Sequence, residues 1–103
     1  MKIYVDIPIF SSSTQAIGNA TGVVEVARPP EVREPLAWPK SDSTRSRFFE
    51  LLLFSPVVAI SSSESKDAEM TALLDGVVLD GAQELPDLID YLRCEYGIVY
   101  VGY

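Results

Sequence analysis

Apolar and polar residues alternate from the first positions of the chain. Ile3, Val5, Ile7 and Ile9 are interleaved with Lys2, Tyr4, Asp6 and Pro8, a period of two that predicts a half-buried strand. Pro8 has no N–H to give to a ladder, which places it near a sheet edge or a strand end. Ser11 to Gly22 is polar and holds two glycines, so it reads as a loop, long for a hairpin and a candidate mobile or partner-contacting segment. Val23 to Ala27 predicts a second strand, with Val24 and Val26 facing one way and Glu25 the other, paired antiparallel with the first.

Pro29, Pro30, Pro35 and Pro39 break any regular pattern over the proline-rich loop 29–40. Leu36 and Trp38 lie within it. Trp38 either folds back over one end of the core or stands out as an anchor for a partner. Ser41 or Asp42 can cap a helix from Ser43 to Phe54, ended by Pro56. Phe48, Phe49 and the run Leu51 to Phe54 are apolar on all sides, which predicts a buried segment; a strand is the alternative. Val57 to Ile60 predicts a strand. Between Ser61 and Leu74, the spacing of Met70, Leu73, Leu74 and Val77 suits a helix starting near Ser63 and stopping at Gly76. Glu64, Asp67 and Glu69 would fall in its first turns. The run Leu-Leu-Asp-Gly-Val-Val is also a hairpin-turn signal.

From Asp75 onward all signals agree. Val77-Val78-Leu79 reads as a short buried strand. Leu85, Leu88, Ile89, Leu92 and Tyr96 then form one apolar stripe at the helical period, with Leu88 and Leu92 as core residues. Pro86 sits in the first turn, where its missing N–H costs nothing, and Glu84 and Asp87 place negative charge at the positive end of the helix dipole. Gly97 is the stop signal and Ile98 to Val101 a further strand. Strand, helix and strand make a βαβ unit. The expected fold is therefore α+β: a single domain over 1–103, a mixed sheet of about five strands, two to three helices, and a C-terminal βαβ unit.

Composition narrows the chemistry. Nearly half of the 103 residues are apolar and about a fifth charged, which is a globular composition. A single cysteine cannot form an internal disulfide. Asp6 interrupts what a signal peptide would need as an apolar core, and Leu51 to Ile60 is too short to span a bilayer. A cytoplasmic protein without membrane contact is expected. With no histidine, Ser-His and Cys-His nucleophiles and imidazole metal sites are out of reach. Ser63-Glu64-Ser65-Lys66 matches Ser-x-x-Lys, but in a serine-rich chain without the companion motifs it does not predict catalysis. Asp75 and Asp80 would lie roughly 16 Å apart across an extended segment, too far to share an ion, and read as turn residues. Cys94 has Asp90 one turn before it and Asp87 nearby, and neighbouring carboxylates disfavour a thiolate, so no reactive role is expected. No enzyme, cofactor or metal is expected.

Charge gives the positive expectation. Residues 1–63 hold six acids and six bases, whereas 64–103 hold nine acids against Lys66 and Arg93, so the whole net charge of −7 arises in the C-terminal part. Such a field repels nucleic acid, unless Arg28, Arg33, Arg45 and Arg47 cluster, and attracts basic partners. Opposite the leucine stripe lie Asp87, Asp90, Tyr91 and Cys94, with Glu84 and Glu95 near the boundaries. This is either a solvated polar face or a partner surface with Tyr91 as its anchor. The leading expectation is a non-catalytic, acidic inhibitor that occupies a basic, nucleic-acid-binding surface of a larger protein, of the phage anti-defence or antitoxin type. It would act as a monomer or weak homodimer through Glu84, Asp87, Asp90, Tyr91, Glu95 and Trp38. The alternative is a structural or assembly subunit of a phage or multiprotein complex.

Overall fold

Ile3, Val5, Ile7 and Ile9, all fully buried, mark the inner side of the strand around which the molecule is built. In a computed structural model, which describes residues 1–39, 47–63 and 66–103, this strand, β1 (Lys2–Ser12), turns at Ser13-Thr14 into β2 (Gln15–Glu25). Then come α1 (Arg47–Leu53), β3 (Val57–Ser62), β4 (Met70–Leu74), β5 (Val77–Val78), a 3-10 turn (Ala82–Glu84), α2 (Leu85–Tyr96) and β6 (Val99–Gly102). The six strands form one mixed sheet in the order β3-β4-β1-β2-β6, with β5 beside β1 beyond the end of β4. β1 is antiparallel to β2 and parallel to β4 and β5, while β6 is antiparallel to β2. The fold is α+β, and β5, α2 and β6 form its C-terminal βαβ unit. The two strands of that unit run parallel with β1 and β2 between them.

Helices cover one face of the sheet. Leu52 of α1, Leu88 and Leu92 of α2, and Leu36 and Trp38 of the proline-rich loop join the inward residues of β1 in one core. The opposite face carries Tyr4, Pro8 and Phe10 of β1, Val23 of β2, Leu73 of β4, and Val99 and Val101 of β6. No described helix or loop covers it. No helix among the described residues is long and apolar enough to cross a membrane.

Several expectations are corrected. The segment from Ser11 to Gly22 is not a loop; nearly all of it is strand, and the connection is a tight turn. Its inward positions are Gly18, Ala20 and Gly22, too small to register as an apolar face. They are small because β6 lies close by: a Cβ at Gly18 would sit 2.5 Å from the Val101 carbonyl oxygen and 2.6 Å from the Tyr100 ring. Pro8 is not at an edge but in the central strand. The parallel neighbour breaks opposite it, β4 pairing with Ile3–Asp6 and β5 with Ile9–Phe10. Asp75 and Gly76 fill that break. The Asp75 N–H donates to the Pro56 carbonyl (2.9 Å) and the Gly76 N–H to the Oγ of the fully buried Ser55 (2.8 Å). Gly76 has φ 123, and a Cβ there would lie 2.9 Å from the Pro8 carbonyl oxygen, so glycine is required on both counts. Asp-Gly is therefore neither a hairpin turn nor a helix stop.

The helix expected between Ser63 and Gly76 is replaced by β4, because parallel pairing with β1 and antiparallel pairing with β3 claim Met70–Leu74. Lys66 and Asp67 lie in a turn; Glu64 and Ser65, and with them most of the Ser-x-x-Lys motif, are outside the described residues. The expected helix before β3 is present as α1, with its proposed cap at Ser41 or Asp42 outside the described residues. It is not buried on all sides. Leu53 is 41% and Phe54 82% exposed, because only one flank of a single short helix can meet the sheet.

Candidate partner-binding surface

The leucine stripe of α2 commits one side of that helix to the core, Leu88 and Leu92 each being 1% exposed. Its end is fixed by Gly97, at φ 68 and ψ 22, whose N–H donates to the Arg93 carbonyl (3.0 Å), while the Ile98 N–H donates to the Leu92 carbonyl (3.1 Å). With its inner side packed and its C-terminal end set, the helix presents its outward side as one row. Asp87, Asp90 and Cys94 are all exposed along it. Asp90 accepts from the Arg93 guanidinium one turn on (3.0 Å), an exposed pair that contributes little to stability. Among the described residues no ion pair reaches Asp87.

Glu84 belongs to a different arrangement. Arg47 at the start of α1 bridges Glu84 and Asp80, the latter at 2.9 Å, and Glu84 also accepts from the Asp80 N–H (2.8 Å). Part of the C-terminal acidity is thus neutralised by a base from the balanced half of the chain. The pair also ties α1 to the entry of α2. Arg45, the neighbouring member of the expected basic group, lies outside the described residues.

The aromatic residues turn inward. Tyr91 is half-buried, its ring 5.7 Å from Phe48 of α1 and 6.0 Å from Tyr96. At about 100° per residue it stands only about 60° from Leu88, and α1, packed along that flank, widens the buried arc to include it. Its hydroxyl is buried with no hydrogen-bond partner among the described residues. Trp38 is 7% exposed and packs against Tyr96 with ring centroids 5.0 Å apart and the planes tilted by 50°, and the Tyr96 hydroxyl donates to the Pro39 carbonyl (3.4 Å). This is the fold-back arrangement, with Trp38 closing one end of the core. Glu95 is half-buried on the same flank of α2 as Tyr91.

Of the six residues singled out by sequence, the structure gathers Asp87 and Asp90 on one open face. It directs Glu84 to Arg47, and Tyr91 and Trp38 to the aromatic cluster behind α2. The exposed aromatic residues are instead Phe54 and Tyr103, each 82% exposed. Phe54 could have been found by asking which side of a one-flank helix its terminal residue takes. The Tyr103 hydroxyl reaches Asn19, whose Nδ2 donates to Asp6 across the open sheet face. Between Trp38 and the end of β2 lies an open groove of about 630 Å³, bounded by Glu25, Val26, Arg28, Ala37 and Pro39. Among the described residues no three carboxylate or thiol groups converge.

Comparison of the chain with family models, with curated proteins and with solved structures finds no match.

Proposed function

We propose that this protein is a non-catalytic acidic binding protein that occupies a basic, nucleic-acid-binding surface of a larger cytoplasmic protein, as phage anti-defence proteins and antitoxins do. The observation that supports this reading is the division of labour on α2. Its inner side is fully committed to the core, whereas Asp87, free of ion pairs among the described residues, and Asp90 project from the outer side of a helix capped at its C-terminal end. A rigid pair of carboxylates in a chain of net charge −7 steers a cationic surface toward itself and speeds association.

The assembly-subunit reading is favoured by one different observation, the uncovered sheet face with Val99 and Val101 58% and 63% exposed. A salt series separates the two. The chain is immobilised, a partner is captured from cell extract, and its affinity is measured between about 0.05 and 0.5 M salt, over which the screening length falls from about 14 to about 4 Å. An acidic docking face predicts at least about a tenfold loss of affinity. Contact through the apolar face predicts no loss, and that result would reject the acidic reading.

A further inference from the structure

We infer that the uncovered face of the sheet is the contact surface for a second copy of this chain, forming a two-fold dimer with its helices outermost. The inference stands apart from the reading of α2, which lies on the other side of the sheet.

Composition is the first ground. The centre of the face is built from Tyr4, Phe10, Val23, Leu73, Val99 and Val101, and its one central charge, Asp6, accepts from Asn19 Nδ2. The other charged groups of this face, Lys2, Glu25 and Glu69, sit together at one end, in register with each other. A largely apolar patch, with Asp6 as its one central charge, does not suit the basic partner proposed for α2. It does suit a surface of equal size, twist and apolar character, and a second copy supplies one by symmetry.

Area is the second ground. The five strands of the path β3-β4-β1-β2-β6, at about 4.8 Å and averaging between seven and eight residues at about 3.3 Å, give a footprint of about 590 Å² per copy. Two such faces reach the lower end of what specific dimers bury, about 1,200 Å², so dissociation near the micromolar range is expected. Charge does not oppose it. Stacked sheets lie about 10 Å apart and each helical layer adds about another 10 Å, so the two acidic helices face outward about 30 Å apart, several screening lengths at physiological salt.

Sedimentation equilibrium of the full chain from about 5 to 500 μM tests this. The expected mass rises from 11.3 kDa toward twice that value. Leu73→Lys and Val101→Lys, both at exposed positions, should each weaken association at least about tenfold while the melting curve stays within a few degrees. Asp87→Lys with Asp90→Lys should leave the mass unchanged or raised. Leu73 lies on an interior strand, so its variant separates face-to-face stacking from pairing along the β6 edge. A chain monomeric throughout the range, or a dimer that persists in Leu73→Lys, overturns the proposal. Should Leu73→Lys unfold, Tyr4→Lys, on the same face of the interior strand β1, takes its place under the same criteria.

Discussion

Replacing Gly18 by alanine adds one methyl group at the point where β6 and Tyr100 close over β2. That methyl would lie 2.5 Å from the Val101 carbonyl oxygen and 2.6 Å from two atoms of the Tyr100 ring. Ordinary contacts are about 3.5–4.0 Å, so about 1 Å of overlap must be relieved. The oxygen belongs to the backbone and moves only if β6 moves. The ring can swing only by giving up the bond from its hydroxyl to the Ile17 carbonyl (2.8 Å). Overpacking of this kind costs about 1–3 kcal/mol, and the lost hydrogen bond about 0.5–1.5 kcal/mol more. Against this, alanine reduces the entropy of the unfolded chain by about 0.4–1 kcal/mol relative to glycine. A net loss near 2 kcal/mol is predicted, a fall in melting temperature of about 8–16 °C for a domain of this size. Thermal unfolding followed by circular dichroism measures it. Gly22→Ala is the control, since its nearest neighbours would be 3.1–3.3 Å from the new methyl and need yield only slightly. If Gly18→Ala melts within about 2 °C of the parent, or Gly22→Ala is the worse of the two, the packing of β6 over β2 is not as described.

Three further outcomes are expected. Leu92→Ala, at a position 1% exposed, should cost about 2–5 kcal/mol in denaturant unfolding, and an unchanged midpoint would show that the stripe of α2 does not carry the core. Tyr91→Phe removes a buried hydroxyl that has no partner, so unfolding should show stability unchanged or raised by about 1 kcal/mol; a loss above that would mean the hydroxyl is bonded in solution. Cys94 is exposed on the outer side of α2, so a thiol reagent should label the native protein fully, and no faster than a cysteine peptide.

How much of this was legible in the sequence depended on where the deciding contacts lie. In α2 they are local: Pro86 in the first turn, leucines at three- and four-residue spacing, and Gly97 at the end specify one answer within a single window. β1 was legible for the same reason. β2 was not, because its inward residues are Gly18, Ala20 and Gly22, and an apolar period cannot be seen where there are no side chains. A small residue at every second position was the available signal. Met70–Leu74 fits either period over five residues, and pairing with a strand some 65 positions earlier decided it. Tyr91 was assigned outward by the helical wheel alone; the position of α1 beside it, an across-sequence contact, turns it inward. The bridge from Arg47 to Asp80 spans 33 residues and likewise has no local trace. Of the candidate residues on α2, Asp87 and Asp90 stand exposed on its outer side, the placement that follows from the period of α2 itself.

The proposed function requires that α2 have a structural side and a functional side that can be changed independently. Asp87→Lys together with Asp90→Lys alters only the exposed row, and the test is to measure its melting temperature and its affinity for the captured partner beside those of the parent. The prediction is a melting temperature lowered by no more than about 8 °C, through loss of the favourable Asp87 charge in the first turn of α2, and an affinity at least about tenfold weaker at low salt. An affinity equal to the parent's, in a protein that melts normally, would contradict it and leave the acidic row as a solvated surface.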